Sequence, residues 1–228
     1  AEASVSTRQA IFECIRAAGV LPRVEVARKL GLSPGSVTAL TSDLIEQGFV
    51  REVIGQPTSS ARGRPPVGLA VEPSAGFVVG IKLSQEVHTA VVMDCAGNLK
   101  GSSTIPAKTT RSTNQELVDI STDLLGRLCH ATGLETSAIK AVGLGMPGII
   151  DHTSGAVHWS PMLEGESQLR DDLVQATGME WHLDNDVNML TLAELWFGKG
   201  RTESDFAVVT IEHGVGMGLV LQNRLFRG

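Results

Sequence analysis

The chain has 228 residues, 42% of them hydrophobic, with 19 Lys and Arg against 25 Asp and Glu and a formal net charge of -6. That length and apolar content allow a buried core in one or two domains, and the negative balance excludes a protein that binds nucleic acid over its whole surface. The charge is uneven, however: residues 1–72 hold eight Lys or Arg against seven Asp or Glu and the remainder holds 11 against 18, which fits a small DNA-binding module carried by an acidic body.

Cys14, Cys95 and Cys129 are odd in number and far apart, so they supply neither a disulfide framework nor a metal-ligand pair, and a reducing cytoplasm is expected. No apolar run approaches the roughly 18 residues of a membrane span, and the N-terminus lacks a basic stretch followed by an apolar one. A soluble, unexported protein with no membrane contact is expected. Because the chain opens on Ala1 rather than Met, removal of some N-terminal sequence is expected too.

Residues 7–18 form the first of three predicted helices, with Ile11, Ile15 and Ala18 on one face and Phe12 widening it. The second, residues 23–30, offers Val26, Ala27 and Leu30 to the first and to Val37. Gly31-Leu32-Ser33 has the length of the turn in a helix-turn-helix. The third helix begins at Pro34, since Ser33 can accept a backbone N–H and Pro has none to leave unpaired. Val37, Leu40, Leu44 and Ile45 then share a buried face, and Gly48 sits where a helix usually stops. The opposite face holds Gly35, Ser36, Thr38, Thr41 and Ser42, short side chains that let a helix lie close in a DNA major groove. With Ser33 these are the candidate DNA contacts; the alternative is a solvated helix in a helical hairpin.

After Gly48 the period changes. Residues 49–54 are strand-like, residues 55–66 are rich in Gly, Pro, Ser and Thr, and Val67, Leu69 and Val71 alternate like a returning strand, giving a two-stranded wing with a long tip. Within the tip, Arg62-Gly63-Arg64-Pro65-Pro66 can follow a narrow A·T minor groove, where Arg62 and Arg64 meet an enhanced negative potential. Its alternative is a stiff linker with two solvated arginines. Residues 72–76 read as the boundary, which gives a winged helix over 1–72 and a body over 73–228.

The body opens with strands at 77–83, 87–93 and 99–106, the last two joined by a turn at 94–98. Asn114 is expected to cap a helix that reaches about Thr132, and the apolar run 139–144 suits a central strand followed by the loop Gly145-Met146-Pro147-Gly148. A helix at 168–177, a strand at 181–183, a helix at 188–197 and a hairpin of 207–211 with 218–221 complete an α/β layered pattern. Trp159, Trp181 and Trp196 form no stripe with basic residues of the kind used on single strands, and the core is their expected place, with Met146 and Met162 packing near a cleft.

Three motifs then act together: GLGMPGIID from Gly143 to Asp151, LDNDVN from Leu183 to Asn188, and the glycine-rich HGVGMGLVLQNRLFRG that ends the chain. With the GRPP segment after the first wing strand, they make the sequence resemble the ROK family of sugar kinases and transcriptional repressors. The resemblance implies an N-terminal winged helix-turn-helix fused to an actin-like, ribonuclease-H-like domain, here with its second lobe incomplete. It places a sugar site at Asn185 and Asp186, whose amide and carboxylate can bind neighbouring hydroxyls, with Gly148 lining the cleft and Gly218 leaving backbone room. Without the surrounding motif, an Asn-Asp pair reads as a turn and helix cap.

The resemblance also implies where catalysis is lost. Kinases of the family carry an acidic, glycine-rich DIGGT-type hairpin for nucleotide phosphates and magnesium, whereas this chain has Gly80-Ile81-Lys82-Leu83-Ser84-Gln85-Glu86. Their second phosphate motif usually has a Gly-Thr-Gly turn; this chain reads Glu212-His213-Gly214, a carboxylate expected to repel ATP. The family continues with a sugar-contacting Glu and His and a cysteine-rich zinc site, none of which lies within these residues, so zinc is expected only in a longer protein. No metal or cofactor is expected in this chain, and the scattered histidines have no metal-site spacing. The resulting expectation is a sugar-responsive repressor that binds a double-stranded DNA operator as a homo-oligomer, a dimer or dimer of dimers. The alternative is an ATP-dependent sugar kinase.

Overall fold

The computed structural model describes residues 6–54, 67–108 and 110–227. The chain divides into two compact units, one of residues Ala1–Gly76 with Asp94–Asn98, the other of Phe77–Met93 with Leu99–Gly228. The turn joins the first unit because the Cys95 amide donates to the carbonyls of Gly76 (3.1 Å) and Pro73 (3.4 Å), and Cys95 and Ala96 pack on that unit's core.

In the first unit, helices α1 (Thr7–Ala18), α2 (Arg23–Leu30) and α3 (Pro34–Glu46) enclose a core in which Ile11, Ile15, Val26, Val37 and Leu44 are buried. Gly31 ends α2 in the left-handed conformation with φ 64°, where glycine carries no Cβ penalty. The sheet is three-stranded: β1 (Leu21–Pro22) pairs antiparallel with β3 (Val67–Val71), whose other edge takes β2 (Val50–Ile54). No sequence pattern marks β1, which is too short to show a period. It adds Leu21, opposite the buried Leu69, to the core.

The second unit is built on a five-stranded sheet of order β10-β7-β4-β5-β6. In chain order its elements are β4 (Phe77–Lys82), β5 (Val87–Asp94), β6 (Leu99–Pro106), α4 (Asn114–Thr132), β7 (Ile139–Met146), the hairpin β8 (Ile149–Asp151) and β9 (Ala156–Trp159), α5 (Leu169–Thr177) and β10 (Trp181–Asn185). They continue through α6 (Asp186–Trp196) into an antiparallel sheet of β11 (Phe206–Ile211), β12 (Val215–Leu221) and β13 (Arg224–Phe226). Strand β7 runs parallel to both β4 and β10, so three chain ends leave the sheet at the same edge. Leu117, Leu124 and Leu128 of α4 and Leu169 and Leu173 of α5 are buried in one cluster with Val142, Leu144 and Leu183 of the sheet.

Several elements begin elsewhere than the sequence suggests. Thr113, not Asn114, caps α4: its hydroxyl accepts from the Glu116 amide while the Glu116 carboxylate accepts from the Thr113 amide, a reciprocal capping box. Asn114 instead donates from Nδ2 to Asp172 of α5 at 2.7 Å. Helix α6 starts at Asp186 rather than 188, capped by Asn185. Strand β13 is hard to foresee because its hairpin turns on Gln222 and Asn223, both at positive φ (52° and 60°), without the glycine that usually marks such a turn. In the β11–β13 sheet, Val220 and Leu225 are buried while Val209, Ile211, Val215 and Met217 are exposed. Replacing Thr113 with Ala is expected to lower unfolding free energy by about 1 kcal/mol in urea denaturation, because the helix loses its side-chain acceptor.

Candidate functional site

The N-terminal half of α3 carries the candidate nucleic-acid contacts. Ser33 accepts from the Ser36 amide at 3.1 Å and lies 2.8 Å from the Ser36 hydroxyl, and Thr38 donates to the Pro34 carbonyl at 2.9 Å. Ser33, Gly35, Ser36, Thr38 and Ser42 are exposed. Thr41 corrects the sequence reading. It is fully buried, donates to the Thr38 carbonyl and accepts from Arg23 Nε at 3.0 Å. Arg23 also reaches Glu52 of β2 at 2.8 Å, so Thr41 ties α3 to α2 and the wing and leaves the set of groove contacts. A helix of 3.6 residues per turn puts position 41 nearer to 37 and 44 than to 36, which is why a polar face drawn through it fails.

Arg62 and Arg64 lie outside the described residues. Among the described residues, all five arginines of this unit pair with carboxylates: Arg8 with Asp43, Arg16 with Glu13, Arg23 with Glu52, Arg28 with Glu25 and Arg51 with Glu72. The more exposed of these pairs, those of Arg8, Arg28 and Arg51, contribute only ~0–1 kcal/mol each, so a phosphate oxygen can compete there with the carboxylate partner.

The second site is an open cleft of about 960 Å³ at the edge where the parallel strands end. Register sets it up: Lys82 and Asp184 both stand opposite Gly145, and Asn185 stands opposite Met146. Ligands of open α/β sheets bind at this carboxyl edge because the connections diverge there. Asn185 is the joint. Its Oδ1 accepts from the Val187 amide at 2.8 Å and the Asn188 amide at 3.4 Å, and its Nδ2 donates to the Gly148 carbonyl at 3.0 Å. The cap reading of the Asn-Asp pair holds for Asn185, which also lines the cleft, with one amide hydrogen left over. The neighbouring Pro147 carbonyl accepts from Ser160 at 2.7 Å. Gly148 has φ 141°, and a Cβ there would stand 2.2 Å from the Trp159 carbonyl oxygen, so only glycine fits this cleft wall.

Asp184, which the sequence reading does not single out, holds this corner from below. Buried, it accepts from Asn188 Nδ2 at 2.8 Å and from Arg227 Nε at 3.0 Å. Its place inside LDNDVN is the available signal.

Asp186 projects into the cleft with only the Val187 amide, at 3.0 Å, hydrogen-bonded to its carboxylate among the described residues. Burial pushes this carboxyl up, opposed by the Val187 amide and the Lys82 ammonium and reinforced by Glu212. Lys82 Nζ lies 3.2 and 3.4 Å from the two Glu212 oxygens, so the residues expected to disrupt phosphate binding pair with each other. The bare carboxylate expected at Glu212 is thus neutralised.

Two expectations fail here. Gly218 does not line the cleft: a Cβ on it would fall 1.9 Å from the Thr191 hydroxyl oxygen, so its role is close packing of β12 on α6. Gly216, near Val187 and Thr210, takes the cleft position instead. Of the tryptophans, Trp181 is buried and donates to Thr177 Oγ1 at 2.8 Å, but Trp159 is 51% exposed on the cleft and Trp196 is 44% exposed. The hairpin β8–β9, absent from the sequence reading, carries Trp159 there; its signal is the apolar alternation around Thr153-Ser154-Gly155. Met146 and Met162 are buried as expected. Among the described residues, no three His, Cys, Asp or Glu side chains gather where a metal ion could be held, and no helix is long and apolar enough to cross a membrane.

A family model described as the ROK family matches residues 78–228, well over half the chain. The chain belongs to the ROK family. A second model, winged helix-turn-helix DNA-binding, matches residues 6–51. The ROK chain is 29% identical over 210 residues to the xylose repressor of Caldicellulosiruptor bescii, covering 92% of this chain and 52% of that protein. It is 26% identical over 220 residues to the DNA-binding transcriptional dual regulator NagC of Escherichia coli, covering 96% and 53%. The chain spans about half the length of the curated relatives it matches. Among solved structures, a ROK family transcriptional regulator matches with TM-score 0.77 at 21% identity over 97% of this chain and 55% of that one. A ROK family glucokinase from Streptomyces griseus matches with TM-score 0.59 at 25% identity over 67% and 47%. The curated relatives are thus regulators, while ROK kinases share the body's fold.

Asp186→Asn is expected to raise the melting temperature at neutral pH. A carboxyl whose folded pKa is raised favours the folded state below its unfolded pKa and loses that contribution as pH rises through the folded value. The gain from Asn should therefore shrink as pH falls through that window, as a set of thermal melts will read. Gly218→Ala is expected to cost about 1–3 kcal/mol by overpacking, measured by urea denaturation.

Proposed function

We propose that the chain is the DNA-reading and effector-binding part of a transcriptional regulator, a repressor of carbohydrate-use genes whose operator affinity responds to a sugar or sugar derivative. The observation that carries this reading is the capped, exposed, hydroxyl-rich start of α3 within a winged helix, on the same chain as a ROK cleft. The names of the matched relatives, a xylose repressor and a transcriptional dual regulator, support it. Ser33, Gly35, Ser36, Thr38 and Ser42 fit the major groove, and Arg62 and Arg64 supply groove or phosphate contacts from the wing. In the cleft, Asp186 receives sugar hydroxyls, Asn185 and Gly148 hold the wall, and Trp159 offers an apolar face to a sugar ring. The protein works in the cytoplasm, without a metal or cofactor in this chain, as a homo-oligomer. A dimer presents two recognition helices about 34–36 Å apart on a near-palindromic operator.

The chain has no kinase activity in this proposal; the support is that Lys82 and Glu212, which pair at 3.2 Å, stand where the family resemblance puts the two phosphate motifs. A sugar kinase is the second reading, favoured by one observation: a half-buried carboxylate with a raised pKa at Asp186 suits a general base. Sugar-dependent ATP turnover that Asp186→Asn abolishes would establish it.

Fluorescence anisotropy on genomic promoter fragments at several salt concentrations tests the main proposal. Binding should weaken linearly in log–log form with salt, and replacing Arg62 and Arg64 with Ala should flatten the slope by roughly 0.9 for each phosphate that is no longer neutralised. Absence of binding to every fragment refutes the repressor. The effector is read by a fall or rise in operator binding on adding monosaccharides, and no response to any sugar refutes the sugar-sensing role.

A further inference from the structure

Resting on the sugar-sensing reading, we infer that the cleft selects an uncharged sugar and rejects its phosphorylated form, with Glu212 as the specificity-determining residue. The cleft is lined by a single ammonium, Lys82, by the carboxylates of Asp186 and Glu212, and by Glu86 and His213, which face each other at 3.7 Å. The ammonium is already taken: both Glu212 oxygens lie within 3.4 Å of Nζ. The two residues come from separate sheets, Lys82 from the end of β4 and Glu212 from the turn after β11, and the Glu212 amide donates to the Gly214 carbonyl at 2.9 Å. The backbone of the turn is thus closed on itself, and the carboxylate it carries meets the ammonium. A second acid, Asp186, lines the same cleft as Lys82 and Glu212.

A phosphate entering this end must compete with Glu212 for Lys82 and then lie beside two carboxylates. Like charges at contact distance disfavour it, the more so where Asp186 is half-buried and less screened. Hydroxyl groups meet the opposite situation. Asp186 offers carboxylate lone pairs, Asn185 one amide hydrogen and Thr210 a hydroxyl at the rim, while the half-exposed Trp159 provides an apolar face for ring C–H groups. Such a mixture of apolar wall and a few convergent polar groups fits a neutral polyol ring.

The test is isothermal titration of the full-length protein with D-xylose and N-acetyl-D-glucosamine, each beside its terminal phosphate ester. The wild type should bind at least one neutral sugar, with its phosphate ester at least about tenfold weaker, equal to about 1.4 kcal/mol. Glu212→Gln keeps an acceptor for Lys82 but removes the charge, and should close that gap by about tenfold. Adding Lys82→Met to Glu212→Gln should reopen it. Thermal melts of each variant confirm folding. A phosphate ester that binds the wild type as tightly as its neutral sugar overturns the inference, as does a ratio unchanged by Glu212→Gln.

A second arm uses inorganic phosphate followed by its phosphorus resonance. Glu212→Gln should broaden the signal and the wild type should not; broadening by the wild type, or by neither protein, overturns the charge argument. If no sugar of either form binds while the phosphate arm behaves as expected, the sugar-sensing reading is what fails.

Discussion

The side-chain amide of Asn185 serves two stretches of backbone at once. The first turn of α6 leaves amide groups without intrahelical partners, and the Asn185 oxygen takes those of Val187 and Asn188. The loop after β7 leaves the Gly148 carbonyl free, and the Asn185 nitrogen takes that. Parallel pairing of Asn185 with Met146 brings the two segments within reach of one short side chain. The lack of room for a Cβ at Gly148 and the Ser160 bond to Pro147 fix the loop from its other side. Asp186, the next residue, has its position in the cleft set by this arrangement. Asp184 beneath it, joined to Asn188 and Arg227, holds the strand end that carries both.

The parts legible in the sequence are those with a period or a capping residue. Ser33-Pro34 announces α3, and the spacing of Leu117, Leu124 and Leu128 announces α4, because burial on one helix face repeats. The parts that escape depend on contacts between distant residues. Two-residue β1 has no pattern and exists because Leu21 meets Leu69. Thr41 looks like its neighbours Thr38 and Ser42 as a short hydroxyl side chain, but its azimuth turns it toward Arg23. Gly218 carries the same letter as Gly216, yet one faces Thr191 and the other the cleft. Lys82 and Glu212, 130 residues apart, are each visible as a charged intruder; their pairing is not.

The winged helix shows why a near-neutral module need not show a basic face. Its described arginines sit in short ion pairs within the unit, where they orient the helices and strand, as Arg23 does between Thr41 and Glu52. Exposed pairs are weak, so they give orientation with little commitment of charge. Counterion release on DNA is proportional to the phosphates neutralised, and unpaired cations deliver it without first giving up a carboxylate. Under the proposed DNA-binding role, the described part of the module therefore contributes shape, through the exposed hydroxyls of α3, more than charge.

An effector acts on a regulator only through the difference between its affinities for two states; equal affinity shifts nothing, however tight. The cleft has groups suited to producing such a difference. Asp186 is half-buried and accepts a hydrogen bond from just one amide among the described residues, so its charged form is under-solvated until donors arrive. Under the proposed sugar-binding role, the hydroxyls of a ring held between the walls carrying Gly148 and Gly216 would supply those donors. Hydrogen bonds to a charged acceptor are worth about 1.5–3 kcal/mol. One or two made in only one arrangement of the cleft supply the roughly 1–3 kcal/mol of coupling typical of allosteric proteins.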